Sequence, residues 1–279
     1  MPELPEVETI VRDLRPHLRG ARVAEVRLGH PSVIRHPDPA AFAAGLAEAR
    51  LGTIRRRGKF MLLDLAGPRL TAGSVLVVHL GMSGTLCLAD PAEAERRHTH
   101  LRLRLDRGRE LRFVDPRRFG RLLLGRPAEL QRLGRLPRLG REPLGPAFAA
   151  DWWAGVLHAS RRPLKALLLD QAIVSGCGNI YADEALFLAR LRPGRRADRC
   201  TAAQAEALRR ALPIVLRAAI RSRGSSIADY RDGFGARGQA HESLFVYGRG
   251  GLPCVRCGAV LRRAVVAGRT TVSCPGCQR

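Results

Sequence analysis

The sequence opens Met1-Pro2-Glu3-Leu4-Pro5-Glu6, and removal of Met1 would leave Pro2 as a free secondary amine one residue from a carboxylate. Attack by a secondary amine on an aldehyde-level carbon gives a cationic iminium without further proton loss, so this terminus could bond covalently to a sugar C1′. The same residues also suit a helix start, since Pro5 at a first helical position lacks only an N–H that would have no partner there. A second constellation lies at the other end. Cys254-x-x-Cys257 and Cys274-x-x-Cys277, sixteen residues apart, have the spacing of a tetrahedral four-thiolate zinc site. All four ligands would come from the protein, so one Zn2+ there would be structural. Cys87, Cys177 and Cys200 have no such partners and read as buried thiols.

Three further stretches suit a phosphate backbone or a disrupted base stack. Ser175-Gly176-Cys177-Gly178-Asn179 would let backbone amides approach a phosphate just before a helix N-terminus, though glycine-rich helix turns are common and Asn179 is also an ordinary cap. His79-Leu80-Gly81-Met82-Ser83-Gly84 places a long apolar side chain in a glycine-flanked turn, and Asp115-Pro116-Arg117-Arg118-Phe119-Gly120 places Arg and Phe in another. An enzyme that takes a base out of a duplex must refill the hole, which Met82, Arg117 and Phe119 could do; either motif alone would read as ordinary core.

Composition agrees with a polyanionic partner. The 279 residues carry 48 Lys+Arg against 25 Asp+Glu, a net charge of +23. Of the 48, only Lys59 and Lys165 are lysines, so each either serves as a compact, deprotonatable amine or survives by chance. No charged-then-apolar leader and no bilayer-length apolar run occurs, which predicts a cytosolic protein whose cysteines are thiols or metal ligands.

The elements that must hold these groups follow from periodicity. Val7, Ile10, Val11, Leu14 and Leu18 recur at helical spacing, with Gly20 just past the end. From Val23 to about Leu124 the pattern is short strands and turns, clearest where Leu101, Leu103 and Leu105 alternate with Arg102 and Arg104. Pro- and Gly-rich residues 126–146 suggest a linker. Helices are expected at 152–159, 163–174, 180–189 and 201–222, and a charged, Gly-rich loop at 222–251. The first half thus reads as a sandwich or barrel with a helix packed on it, and a helical domain should begin near Asp151. The fold class is α+β.

Taken in order, MPELPEVET, RRGKF, HLGMSG, DPRRFG, GNIYADE and the four-cysteine terminus resemble the formamidopyrimidine-DNA glycosylase family nearly end to end. The resemblance implies a β-sandwich flanked by helices over 1–130, a hinge over 131–150, a helix-two-turn-helix DNA-binding module with a lesion-capping loop over 151–243 and a zinc finger over 244–279, with damaged double-stranded DNA as the partner of a monomeric bacterial enzyme. It implies excision of 8-oxoguanine and formamidopyrimidines, followed by β- and δ-elimination. By the same likeness Pro2 is the Schiff-base nucleophile, Glu3 the acid on the opening sugar ring, Glu6 its support and Lys59 a member of the catalytic pocket. Met82, Arg117 and Phe119 would fill the void. His79, His98, Arg117, Lys165, Asn179 and Arg269 would lie along the DNA, Arg269 also acting in strand cleavage. Arg141 stands where many relatives carry proline. The sister endonuclease VIII group, which acts on oxidised pyrimidines and usually has Gly at the position of Leu4, is the alternative; a non-catalytic zinc ribbon would leave Pro2-Glu3 unexplained.

Overall fold

Helix α1 (Leu4–Leu18) forms because its apolar residues recur every three or four positions: Val7, Ile10, Val11, Leu14 and Leu18 are all fully buried. The computed structural model describes residues 1–279 and divides them into two compact units, one of Met1–Arg138 with Ser222–Gln239, the other of Leu139–Arg221 with Ala240–Arg279.

In the first unit α1 is followed by β1 (Val23–Leu28), β2 (Ile34–His36), α2 (Pro39–Leu46), β3 (Arg50–Arg57), β4 (Phe60–Ala66), β5 (Val75–His79), β6 (Thr85–Ala89), β7 (Thr99–Leu105), β8 (Glu110–Val114), β9 (Arg121–Gly125) and α3 (Pro127–Arg132). Two sheets result, of order β1-β7-β8-β6 and β2-β9-β5-β4-β3. On β7 the leucines at 101, 103 and 105 point into the core and Arg102 and Arg104 away from it, as strand geometry requires of a period-two sequence. One apolar core joins both sheets to α1: Leu103 and Phe113 from the first, Met61, Leu76 and Leu122 from the second, and Ile10 and Leu14 from the helix. This is the expected β-sandwich with a helix packed on it.

The second unit holds α4 (Ala150–His158), α5 (Leu164–Leu169), α6 (Asn179–Leu188), α7 (Ala202–Arg221) and a hairpin of β10 (Arg262–Val266) with β11 (Arg269–Ser273). Three details depart from the sequence reading. The helix expected over 163–174 stops at Leu169, because 173–175 pair in extended form with Arg141: Arg141 N–H donates to Ile173 O at 2.9 Å, and Ser175 N–H to Arg141 O at 3.0 Å. The stretch read as linker contains α3. The segment 222–239, expected to belong with the helices from 151, packs within the first unit, where the Arg223 guanidinium pairs with both Asp13 and Asp232.

Candidate active site and nucleic-acid interface

Pro2 and Glu3 are buried at the head of α1. Glu3 is its N-cap, and the Glu3 N–H donates to Glu6 Oε2 at 2.8 Å in a reciprocal capping box. The i,i+3 spacing thus turns the Glu6 carboxylate back onto the terminus. Its other oxygen accepts the Ser225 N–H at 2.7 Å, and a Cβ on Gly224 (φ +79°) would come within 3.0 Å of Glu6. One buried carboxylate therefore joins the reactive end to the start of the segment following α7. That partner lies 219 residues away, and no local pattern announces it.

The turns at one end of both sheets carry the next group. Lys59 is buried between β3 and β4, and strand pairing sets the following residue, Phe60, opposite His79. Burial first, then the charges of Lys59 and Arg121, lower the His79 imidazole to about 4. The neutral ring accepts the Gly81 N–H at its Nδ1, 3.2 Å away, and so braces the turn that carries Met82. Asp115 is fully buried. One of its oxygens accepts the Ser83 hydroxyl at 2.6 Å and the other accepts the Gly120 N–H at 2.7 Å, so a single side chain fastens the Met82 turn to the Phe119 turn. The two turns abut so closely that a Cβ on Gly81 would stand 2.5 Å from the Phe119 carbonyl carbon. Met82 is 44% and Phe119 51% exposed, with the Arg117 guanidinium 4.8 Å from the Phe119 ring centroid. Large apolar side chains held out on braced turns are not core residues. His98, exposed and at φ +68°, accepts the Asp115 N–H at its carbonyl, 3.0 Å away.

In the second unit, Gln171 shapes the turn before α6, its carbonyl accepting the Gly176 N–H at 2.9 Å and its amide donating to Cys177 O at 2.7 Å. Asn179 opens α6 and donates to Thr270 O at 3.0 Å, immediately beside exposed Arg269 on the finger hairpin. Lys165 is elsewhere: it is fully buried, and its ammonium faces Asp183 at 2.6 Å. Its ammonium is turned inward onto the finger strand, donating to Thr270 O and Thr271 Oγ1.

The four cysteine Sγ atoms of 254, 257, 274 and 277 lie within 4.8 Å of one another, with Cys254 to Cys277 at 3.9 Å and Cys257 to Cys274 at 3.4 Å. Tetrahedral coordination with bonds of about 2.3 Å calls for sulfurs about 3.8 Å apart, so the donor set fits a thiophilic divalent ion. Burial and the neighbouring sulfurs push the Cys277 thiol up, while backbone N–H donors and the adjoining sulfurs hold Cys254 below the ordinary thiol value, so the four thiols do not share one protonation behaviour. The residues missed by sequence reasoning are the hidden acids. Asp115, Asp183 and Glu184 all lie inside the quoted motifs, but acidic residues in a strongly basic chain read as surface until their burial is seen.

Comparison with known proteins bears on these features together. Residues 1–122 match the family of the formamidopyrimidine-DNA glycosylase N-terminal domain, 139–231 the helix-two-turn-helix domain of the same glycosylase, and 251–279 the zinc finger found in that glycosylase and in IleRS. Formamidopyrimidine-DNA glycosylase of Moorella thermoacetica is 49% identical over 263 residues, covering 94% of each chain. That of Symbiobacterium thermophilum is 46% identical over 279 residues, covering 100% of this chain and 89% of its own. The crystal structure of the MutM (Fpg) protein from Thermus thermophilus superposes with a TM-score of 0.86 at 46% identity, covering 99% of this chain and 98% of that one. The Lactococcus lactis enzyme, in complex with DNA containing an abasic site, superposes with a TM-score of 0.89 at 30% identity over 99% of both chains. No helix is long and apolar enough to cross a membrane.

Proposed function

The chain belongs to the formamidopyrimidine-DNA glycosylase family, and from that premise we infer that it is a DNA glycosylase of base excision repair acting on oxidised purines, with an associated lyase step. The observation that carries the reading is the buried Pro2-Glu3 terminus bound to Glu6, in a unit that also presents Met82, Arg117 and Phe119 on braced turns.

While Met1 is attached, the Pro2 nitrogen is a tertiary amide without nucleophilic character; its removal frees the amine. The Pro2 lone pair then bonds to the deoxyribose C1′ of an extruded nucleotide as the bond from C1′ to the damaged base breaks, the electron pair leaving with the base. Glu3 protonates the ring oxygen as the sugar opens, leaving a Pro2 iminium. The iminium draws electrons from C2′, so a C2′ proton is lost and the 3′-phosphate departs. A second elimination releases the 5′-phosphate, and water frees Pro2 from the sugar remnant. Glu6 holds the terminus to the chain at Ser225, while Lys59 supplies positive charge beside His79. Met82, Arg117 and Phe119 occupy the space left in the stack. His98, Arg117, Asn179 and Arg269 grip phosphates, and counterion release at these contacts makes binding fall with salt.

The metal of the finger is zinc, one per chain, held by Cys254, Cys257, Cys274 and Cys277; its chemistry is to cross-link two turns into a folded hairpin. The protein works as a monomer on damaged duplex in the bacterial cytoplasm. Borohydride reduction during turnover of an 8-oxoguanine duplex should trap a one-to-one covalent complex through Pro2. Pro2→Gly should impair excision while duplex binding survives, because the change alters the bond-making amine and leaves phosphate contacts in place. Absence of a trapped complex with demethionylated enzyme overturns the reading, and preference for thymine glycol over 8-oxoguanine would move it to endonuclease VIII-like specificity.

A further inference from the structure

The hairpin of the finger has only two strands, so one edge of β11 has no strand beside it. Unpaired edge N–H and C=O groups need partners, and here side chains of the helical module supply them. The Lys165 ammonium, on α5, donates to Thr270 O at 3.2 Å; the Asp183 carboxylate, on α6, accepts the Val272 N–H at 3.1 Å. Donor meets acceptor and acceptor meets donor, as a neighbouring strand would provide, and the two side chains are themselves paired at 2.6 Å with no exposed surface. The contact continues along the strand. Lys165 also donates to Thr271 Oγ1 at 2.7 Å, and that hydroxyl donates to the Arg269 carbonyl at 3.0 Å.

We propose that Lys165 and Asp183 form a buried ionic clamp that stands in for a missing strand, fixes the β11 edge on α5 and α6, and through Thr271 sets the place of Arg269. Both are positioning residues; neither touches DNA. Lys165 then holds a phosphate-binding arginine in register with Asn179, which donates to the same Thr270 carbonyl. Lysine suits the position because its compact ammonium directs separate donors at Thr270 and Thr271 while its charge stays against Asp183, a combination that the planar fork of arginine does not match. This explains why a lysine stands here in a chain that otherwise uses arginine for all but one of its basic residues.

The proposal rests on the reading of Arg269 as a phosphate contact, and the test separates the two. Removing one partner would strand a buried charge, so the informative variant is the double change Lys165→Met with Asp183→Leu, which leaves an apolar pair of similar bulk. In the zinc-loaded full chain this variant should keep one zinc. The Val272 amide should exchange with solvent at least about tenfold faster, since its acceptor is gone. Binding to damaged duplex should show a log–log salt slope shallower by about one, the loss of one phosphate contact. Adding Arg269→Ala should then have no further effect, although it lowers affinity in the native background; such non-additivity is expected only if the clamp acts through Arg269. A full Arg269→Ala penalty in the double variant, or unchanged Val272 exchange, overturns the clamp. If Arg269→Ala is silent in the native protein, the phosphate reading has failed, and Val272 exchange still decides the clamp. Should the double variant not fold, Thr271→Val removes the relay to the Arg269 carbonyl alone; it should shrink the Arg269→Ala penalty, and an undiminished penalty would count against the proposal.

Discussion

The sandwich and the finger solve the same task, holding one chemical group still, by opposite means. Glu3 and Glu6 sit at the head of a helix whose inner face is sealed into a core shared by two sheets, so apolar burial anchors the element that carries the terminus, and the Glu6 carboxylate only adds local ties to Glu3 and Ser225. The finger contributes only five buried residues to its core, two of them the metal-binding Cys254 and Cys274, packed with Phe187 of α6, and β10 is exposed along nearly its whole length. A segment that cannot bury enough apolar surface must be cross-linked or bolted to something larger. Four sulfurs do the first, and α6 does the second with consecutive acids: Asp183 takes the Val272 N–H, while Glu184 takes the N–H groups of Phe245, Val246 and Tyr247 at 2.8 to 2.9 Å. Polar bonds are tolerable inside this region because these buried carboxylates meet donors.

The contrast should fail most visibly when the metal is removed. Structural zinc in such fingers carries an apparent folding free energy of about 10–16 kcal/mol, so chelation should unfold 251–279 and abolish tight duplex binding while the sandwich keeps its own melting transition. Zinc analysis, thermal unfolding and anisotropy binding before and after chelation check this, and undiminished binding by metal-free protein would break the comparison. A sharper version applies one kind of truncation to both regions. Leu14→Ala, in the sealed face of α1, should cost about 2–5 kcal/mol in urea unfolding. Val265→Ala, on a finger strand where the side chain is 76% exposed, should stay within about 0.5 kcal/mol.

Legibility in the sequence divides along the same line. The period-two run around Leu101–Leu105 and the helical stripe of α1 are local patterns set by burial, and both elements form where the pattern places them. The cysteine pairs are legible because ligand spacing is itself local. Helix α5 is overestimated because its end is decided by Arg141, some thirty residues earlier, pairing with 173–175 in extended form. The partners of Glu6, Lys165 and Asp115 are hidden for the same reason: a hydrogen bond between distant segments leaves no periodic trace. Lys165 carries the functional consequence. Its conspicuous type marks it as special, but only its burial against Asp183 separates a structural ammonium from a DNA-facing one.

Acid should act on the sandwich end next. The His79 ring is held at about 4 against 6.5 for a free side chain, so between those values the unfolded chain binds a proton that the folded one does not. Stability is therefore full above about pH 6.5 and falls as pH drops toward 4, by on the order of 3 kcal/mol across the window. Protonation also takes away the acceptor used by the Gly81 N–H, so the turn carrying Met82 should loosen in step. Urea unfolding at a series of pH values should show the decline in the native chain and a flatter profile in His79→Gln. An equal decline in both would mean that the imidazole is not the group responsible.

The smallest effect belongs on the surface of the helical module, where Glu206 bridges Arg209 and Arg210 at 2.6 Å each. Hydrogen bonds from the two guanidinium groups, Arg209 first, lower the Glu206 carboxyl to about 2, and the sign is opposite to that of His79: the carboxylate stabilises above its ordinary range and loses its contribution as pH falls through about 2. The geometry is as short as that of the buried clamp, yet Arg210 is 72% exposed and water screens the pair. Glu206→Gln should therefore cost no more than about 0.5 kcal/mol, and the cost should vanish in molar salt. The same salt should leave the Lys165 to Asp183 contact untouched, because no solvent ion reaches it. Measuring both couplings across a salt series sets distance against burial directly. A surface pair as costly to break as the buried one would show that short N–O separation governs in this protein, and the division between its two regions would lose its physical basis.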